Sequence, residues 1–337
     1  MIFILIPKKT ETCGIYDFSK QVINNPKNYK FIDLSKNNDF NYFVKKFFIR
    51  KKIKILFNYT PFYWLNLLTI TRLLIILILN RIIFKNPVFL FNHDYIRPQK
   101  YSFKIKILVP YIYTICRILF LFPNKLFFTF KPPKNFRNYK RSQNIKLPSN
   151  FKLDNFYKKI YKFNEINFLT FGSLQAIQEK EIILMERLID KFSHQFKVNL
   201  ILMGNSRNLN FPNFKKINCS VIRFSKIKEK DISNILSEAS FALFFHNDGL
   251  SMRSGILSTC FQHGLPSIGL NGPNTESDLK EIDGLQMFDQ SNIEPAIQFI
   301  FKLMNNDYIY EKVSINLQKF YQKQRSWEKL RSEIGIE

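Results

Sequence analysis

Short, wholly apolar runs alternate along this chain with longer stretches whose apolar positions recur every three or four residues. The short runs predict strands near 2–6, 30–33, 54–58, 87–92 and 126–130, and again at 166–171, 198–203, 220–224, 241–245 and 267–270. The longer ones predict the helices between them, most clearly over 178–196, 228–240 and 252–263. This is the pattern of α/β units around parallel sheets. From Phe130 to Asn150 the chain turns polar, basic and proline-containing, which predicts a linker. With 337 residues the chain exceeds the length at which one core stops growing, so two doubly wound domains are expected, residues 1–150 and the remainder of the chain.

Glycines fall just after predicted strands at Gly172, Gly204, Gly249 and Gly272. Ligands of open parallel sheets bind there, outside the carboxyl ends of the strands. No G-x-G-x-x-G follows a first strand, which argues against a dinucleotide dehydrogenase. The richest stretch is 246–266, His-Asn-Asp-Gly-Leu-Ser-Met-Arg-Ser-Gly-Ile-Leu-Ser-Thr-Cys-Phe-Gln-His-Gly-Leu-Pro. It predicts a strand end, a loop of small residues, and a helix from about Met252 closed by a left-handed Gly264 and ended by Pro266. Ser251, Arg253, Ser254 and Gly255 gather at the helix start. Open N–H groups, the helix dipole, hydroxyls and a guanidinium would together suit a diphosphate. The plainer alternative is an ordinary strand-to-helix turn with Asp248 or Ser251 as N-cap.

The net charge of +25 is unevenly spread. Residues 1–150 carry 27 Lys and Arg against five acidic residues, a balance of +22, while the rest of the chain is at +3. The basic half implies an anionic partner: nucleic acid, an anionic membrane surface, or a phosphate-bearing acceptor. No recognised nucleic-acid motif accompanies the charge, so nucleic acid is not expected. Cys13, Cys116, Cys219 and Cys260 have neither zinc-site nor disulfide-framework spacing, which fits a reducing, cytoplasmic compartment. Met1 to Ile6 is too short for a signal sequence and predicts a buried first strand. Two further apolar stretches, 62–84 and 105–122, are interrupted by Asn66, Arg72, Asn80, Arg81 and Arg117. They predict buried or interfacial helices rather than membrane spans. With flanking basic clusters at Lys45-Lys46, Arg50 to Lys54 and Lys140-Arg141, they suit peripheral attachment to the inner face of the cell membrane.

In this order, Cys13-Gly-Ile-Tyr-Asp-Phe-Ser19, Leu56-Phe-Asn-Tyr-Thr-Pro61, Phe91-Asn-His-Asp-Tyr95, Asp248-Gly-Leu-Ser-Met-Arg-Ser-Gly255 and Arg325-Ser-Trp-Glu-Lys329 resemble retaining, family-4-like GT-B glycosyltransferases. The particular subgroup has an Asp-Gly-x-Ser-x-Arg motif. The resemblance implies two Rossmann-like domains with a cleft between them. Residues 1–150 would bind the acceptor, 151–315 would bind the nucleotide sugar, and 316–337 would form a helix returning to the first domain. It implies that Arg253, Ser254 and Gly255, with Asp248, Gly249, Ser251 and Thr259, line the donor site. Gly172 and Lys180 would occupy the first loop of that domain, Lys180 either as a cationic partner or as part of a solvated helix start. Gly14 would let the first loop approach the donor, and Asp17 would either cap a helix or meet acceptor hydroxyls. Asn58 and Tyr59 would line the acceptor side. His93 is the catalytic candidate, stabilising an oxocarbenium-like transition state by a hydrogen bond, unless it packs at a strand end. Asp94 reads as structural.

Many similar enzymes carry glutamates at the positions of Ser251 and Thr259, one meeting the donor sugar and the other its ribose. Their loss here leaves the donor open. The implied reaction is transfer from a nucleoside diphosphate sugar to a polysaccharide or lipid-linked glycan with retention. It is a front-face displacement in which the leaving diphosphate takes the acceptor proton. No Asp-x-Asp occurs in the chain, and no metal or other cofactor is expected. The alternatives are a catalytically silent GT-B scaffold binding glycan or membrane, and a GT-B sugar epimerase.

Overall fold

The structure is a computed structural model. It describes residues 1–6, 14–23, 29–49, 53–59, 66–93, 103–129, 142–149, 151, 164–172, 174, 177–204, 214, 217–225, 227 and 229–335. Cys13, the Arg50-Lys51-Lys52 run, Asp94, Lys140, Arg141 and most of the predicted linker lie outside these residues. The chain divides into two units, Met1–Lys146 with Leu330–Glu337, and Leu147–Lys329.

The first unit is built on β1 (Ile2–Ile6), β2 (Tyr29–Asp33), β3 (Lys54–Tyr59), β4 (Val88–Asn92), β5 (Lys125–Phe128) and β6 (Ser142–Asn144), in the order β2-β1-β3-β4-β5-β6. All pairings in it are parallel. β1 reads Ile-Phe-Ile-Leu-Ile and is buried at every position, as a strand covered on both faces must be. β6 lies inside the predicted linker. It is short, polar and half exposed, and it adds to the edge of the sheet through the register Leu126↔Ser142.

Among the described residues four helices cross this sheet: α1 (Gly14–Val22), α2 (Asn37–Ile49), α3 (Leu67–Leu79), extended by one π turn Asn80–Phe84, and α4 (Phe103–Leu119). Asn66 caps α3 by accepting from Leu68 N at 3.0 Å and Thr69 N at 3.3 Å. The π turn ends where Lys85 takes the left-handed conformation and the Asn80 side chain bonds both backbone groups of Asn86. Right-handed crossovers place α2, α3 and α4, which all lead toward β5, on one face and α1 on the other. The core accordingly packs Phe43, Phe47, Leu73, Ile76 and Ile112 against Phe3, Leu5 and Phe57. The end of the chain joins this unit through Arg331 Nη1 to Gln21 O, 2.9 Å, and Lys125 Nζ to Ile334 O, 3.0 Å.

The second unit has β7 (Glu165–Phe171), β8 (Lys197–Met203), β9 (Cys219–Phe224), β10 (Phe241–Phe244), β11 (Ser267–Leu270) and β12 (Leu285–Phe288), in the order β12-β11-β10-β7-β8-β9 and parallel throughout. Its helices are α5 (Glu179–Ser193), α6 (Glu229–Glu238), α7 (Gly255–Gln262), α8 (Glu294–Met304), α9 (Asp307–Arg325) and α10 (Trp327–Ile334). α9 belongs wholly to this unit, and the return to the first begins within α10, at Leu330. Strand order reverses between β7 and β10, so the loops leaving these two neighbours diverge and open a crevice at their carboxyl ends.

α7 begins later than the sequence predicts, at Gly255 instead of Met252. Ser254 is the N-cap: its backbone is extended and its hydroxyl accepts from Leu257 N at 3.1 Å. Neither Asp248 nor Ser251 holds that position. The Ser251 hydroxyl instead folds the preceding turn, accepting from Arg253 N at 3.2 Å. At the other end Gly264 is left-handed as expected (φ +62°). Leu265 N donates to Cys260 O at 2.9 Å and Gly264 N to Phe261 O at 3.0 Å, which together make a Schellman closure.

Candidate functional site

The residues singled out in the second half of the sequence gather at the carboxyl edge of the second sheet, around the β7–β10 switch point. Gly172 ends β7 with φ +110°, and a Cβ added there would collide with Ile256 in the first turn of α7. The first loop of this unit is thereby pressed against the start of α7. On the other side, Gly249 (φ +79°) and Gly272 meet backbone to backbone. That contact joins the loop after β10 to the loop after β11, and Asn274 N donates to Asp248 O at 2.9 Å across it. Lys180, in the first turn of α5, donates to Asn247 Oδ1 at 2.9 Å and lies 3.7 Å from the buried carboxylate of Glu181. It is therefore a tethered cation on the loops of this edge, with its side chain 46% exposed.

At the start of α7, the Ser254 hydroxyl accepts from Leu257 N and its carbonyl from Ser258 N. The N–H groups of Gly255 and Ile256, the first two of the helix, have no acceptor within it. Arg253 and Gly255 are partly exposed beside them. The backbone donors and the helix dipole, with Arg253 two residues before the helix start, suit this corner to a compact anion.

Two residues that sequence reasoning passed over hold this corner in place. Glu276, from the loop after β11, accepts from Met252 N at 2.9 Å and lies 3.5 Å from the Ser251 hydroxyl. A carboxylate thus stands beside Ser251 although the sequence has none at that position. Arg325, the last residue of α9, is 1% exposed. It donates to Leu147 O (3.3 Å), Ser254 O (3.3 Å) and Met252 O, and lies over the Phe261 ring. Burial lowers its pKa to about 9, against the opposing pull of Glu276. The sequence signal for Arg325 is its place in the Arg-Ser-Trp-Glu-Lys segment. For Glu276 the signal is the polar Asn-Gly-Pro-Asn-Thr-Glu loop directly after a strand.

Thr259 does not take the donor-facing place expected for it. It is fully buried, and its hydroxyl is spent on Gly255 O at 2.9 Å and Ser149 Oγ at 3.0 Å. One turn later on α7 the same face holds His263, 1% exposed, so position 259 points into the unit. Together with Ser258 to Leu147 O and Trp327 Nε1 to Ser149 O at 3.0 Å, Thr259 fastens the segment entering this unit.

In the first unit, His93 follows β4. Its N–H donates to Tyr59 O at 3.1 Å, and its ring is edge-on to Phe18 at 4.9 Å. His93 Nε2 lies 2.7 Å from Asn58 Oδ1, and Asn58 Nδ2 donates to Ser19 Oγ at 2.5 Å. Asn58 is therefore a buried link between α1 and His93, not an exposed acceptor contact. Burial lowers the His93 pKa to about 4, so the ring is neutral at pH 7. Tyr59 is likewise a core residue. It is 1% exposed, its hydroxyl accepts from Cys116 Sγ at 3.0 Å, and burial raises its pKa, so it does not reach an acceptor. Gly14 opens α1, and Asp17 falls inside that helix, past any N-cap position.

No family model matches the chain, and no curated protein matches it in sequence. Solved structures do match it in shape. An alpha-glucosyltransferase in complex with UDP and a 13-mer DNA superposes with a TM-score of 0.63 at 12% identity, over 99% of both chains. HepE of Anabaena in complex with UDP gives 0.62 at 9% identity, over 99% of this chain and 98% of that one. WaaG, a glycosyltransferase involved in lipopolysaccharide biosynthesis, gives 0.59 at 12% identity over the whole of both. The chain has the GT-B fold. These neighbours are GT-B glycosyltransferases, and at such identities the likeness is one of fold. Within a GT-B frame, the α7 corner lies at the strand-end edge of the second Rossmann-like unit. Among the described residues no cluster of His, Cys, Asp and Glu has the arrangement of a metal site.

Proposed function

We propose that this protein is a retaining glycosyltransferase that takes its sugar from a nucleoside diphosphate sugar. The observation that carries the reading is the corner at the start of α7. Two open backbone donors, Arg253 and the Ser254 cap converge there at the topological switch point, with Gly172 pressed against the helix and Lys180 tethered on the neighbouring loop. Such a corner holds a diphosphate and stabilises the charge it gains when the sugar leaves. The UDP bound in the alpha-glucosyltransferase and HepE structures supports this assignment. In the proposed step the acceptor oxygen bonds to the anomeric carbon, the bond from that carbon to the phosphate oxygen breaks, and the acceptor proton passes to the departing diphosphate. No protein nucleophile is needed, and no metal ion or other cofactor is assigned.

The neutral His93 is assigned to the transferred sugar. With Nε2–H donating to Asn58, its Nδ1 is left as an acceptor for a sugar hydroxyl. The first unit is assigned the acceptor, a polysaccharide or lipid-linked glycan at the inner face of an anionic membrane, on the strength of the +22 charge balance of residues 1–150. Sugar transfer from a panel of nucleotide sugars to lipid-linked acceptors tests the proposal. Transfer with retained anomeric configuration is expected, and absence of both transfer and nucleotide binding refutes it.

A catalytically silent GT-B scaffold is the second reading, favoured by the inward-facing Thr259. Arg253→Ala separates the two: an enzyme loses transfer by about a hundredfold or more, whereas a scaffold keeps its partner.

A further inference from the structure

Among the described residues, α3 and the adjoining ends of α2 and α4 leave large apolar side chains exposed to solvent. Along α3 and its π turn the outward positions Leu68, Thr71, Ile75, Ile78 and Ile82 recur every three or four residues. All but Thr71 are large and apolar, with Ile75 and Ile78 43% exposed and Ile82 70% exposed. The ends of the neighbouring helices continue the surface. The exposed Phe48 is on α2, and its ring lies 5.2 Å from that of Phe84. Leu121, just past α4, is 61% exposed, and its carbonyl accepts from Arg81 at 3.4 Å. A surface helix of a soluble domain turns polar residues outward, and a contiguous apolar face of this kind marks an interaction site.

The rim of this face carries charge of one sign. Lys45, Arg81, Lys85 and Arg117 are exposed around it, and between Asp39 and Asp154 the sequence has a single acidic residue, Asp94. An apolar stripe whose exposed charged neighbours, among the described residues, are these cations is complementary to an anionic lipid surface, with acyl chains under the stripe and phosphates at the rim. Residues Leu67–Phe84 are long and apolar enough to cross a bilayer. The fold denies them that path: α3 is the crossover between β3 and β4, and its inner residues Ile70, Leu73, Ile76 and Leu77 are at most 4% exposed in the core.

We propose that this face is a monotopic membrane-insertion surface. α3 lies flat in the interface of an anionic bilayer, with Ile75, Ile78 and Ile82 below the headgroups and the rim cations at the lipid phosphates. The inference deepens the proposed function by naming the surface that meets the membrane. It is read from the first unit alone and stands apart from the donor corner.

Co-sedimentation with vesicles of phosphatidylcholine, with or without phosphatidylglycerol, tests it on the full chain. The comparison variant is Ile75→Ser/Ile78→Ser/Ile82→Ser, altered at exposed positions only and checked for an unchanged circular dichroism spectrum and melting temperature. The wild type is expected to bind the anionic vesicles in preference to the neutral ones, and the variant to bind them about tenfold more weakly or less. Failure of the wild type to bind vesicles overturns the proposal, as does equal binding by the variant. So does a variant whose changed property is loss of a dimer or of duplex DNA binding, because the face then belongs to a protein or nucleic-acid partner. UDP titration of both proteins separates this inference from the enzymatic one: a wild type that binds vesicles but not UDP refutes the enzyme and leaves the surface standing.

Discussion

His93 Nε2 lies 2.7 Å from Asn58 Oδ1, and Asn58 in turn donates to Ser19. The amide oxygen can only accept, so the proton of the neutral ring sits on Nε2 and Nδ1 carries the lone pair. A histidine at a strand end thereby becomes a fixed hydrogen-bond acceptor.

The partly buried, neutral state of this ring makes stability depend on pH. The His93 pKa falls from its ordinary 6.5 to about 4 in the fold, so between those values the unfolded chain binds a proton that the folded chain does not. Stability from this group is full above pH 6.5 and is lost as the pH falls toward 4. Urea unfolding at a series of pH values should show wild-type stability dropping across that window. His93→Gln, which keeps a donor toward Asn58 but does not titrate, should show a shallower drop. His246, also held neutral by burial, contributes with the same sign in both proteins. Parallel curves for the two proteins would contradict the assignment.

Arg325 should matter for stability and for the donor corner together. Arg325→Ala takes the donor from Met252 O and one of the donors from Leu147 O and Ser254 O, and empties a fully buried site, at a cost of about 3 kcal/mol in urea unfolding. Arg325→Lys should recover only part of it, because an ammonium lacks the planar fork that reaches several carbonyls at once. UDP affinity should fall in both variants, since the 252–254 turn loses its anchor. A variant that unfolds like the wild type would show that the clamp is dispensable.

Thr259 gives the opposite expectation. With its hydroxyl committed to Gly255 and Ser149, Thr259→Ala should cost about 1 kcal/mol of stability and leave UDP affinity within about twofold of wild type. Calorimetry and unfolding on the same preparation check both. Loss of UDP affinity at unchanged stability would restore Thr259 to the donor site.

Most of the framework was legible in the sequence because parallel strands buried on both faces read as unbroken apolar runs. Ile-Phe-Ile-Leu-Ile and Phe-Ala-Leu-Phe are such runs. β6 was not, since Ser-Gln-Asn at a sheet edge has no apolar signature. The start of α7 was misplaced by three residues because Asp248, Ser251 and Ser254 are all good caps by type, and only the backbone shows which of them is extended. In the proposed corner, Arg253, Ser254 and Gly255 are neighbours in sequence, so local spacing can nominate them together. Glu276 and Arg325 could not be read this way: they lie 24 and 73 residues from Met252, and folding alone brings them to it. Tyr59 and Thr259 were misread because their types suit a ligand, whereas the faces of β3 and α7 on which they sit turn inward.

The central claim is that the start of α7 holds the donor diphosphate. Isothermal titration of UDP into the wild type and Arg253→Ala, with both shown to unfold at the same urea midpoint, tests it most directly. Removing one charged donor should weaken binding by about ten- to a hundredfold. Equal affinity for the two proteins, or no binding of UDP or other nucleoside diphosphates by the wild type, would contradict it.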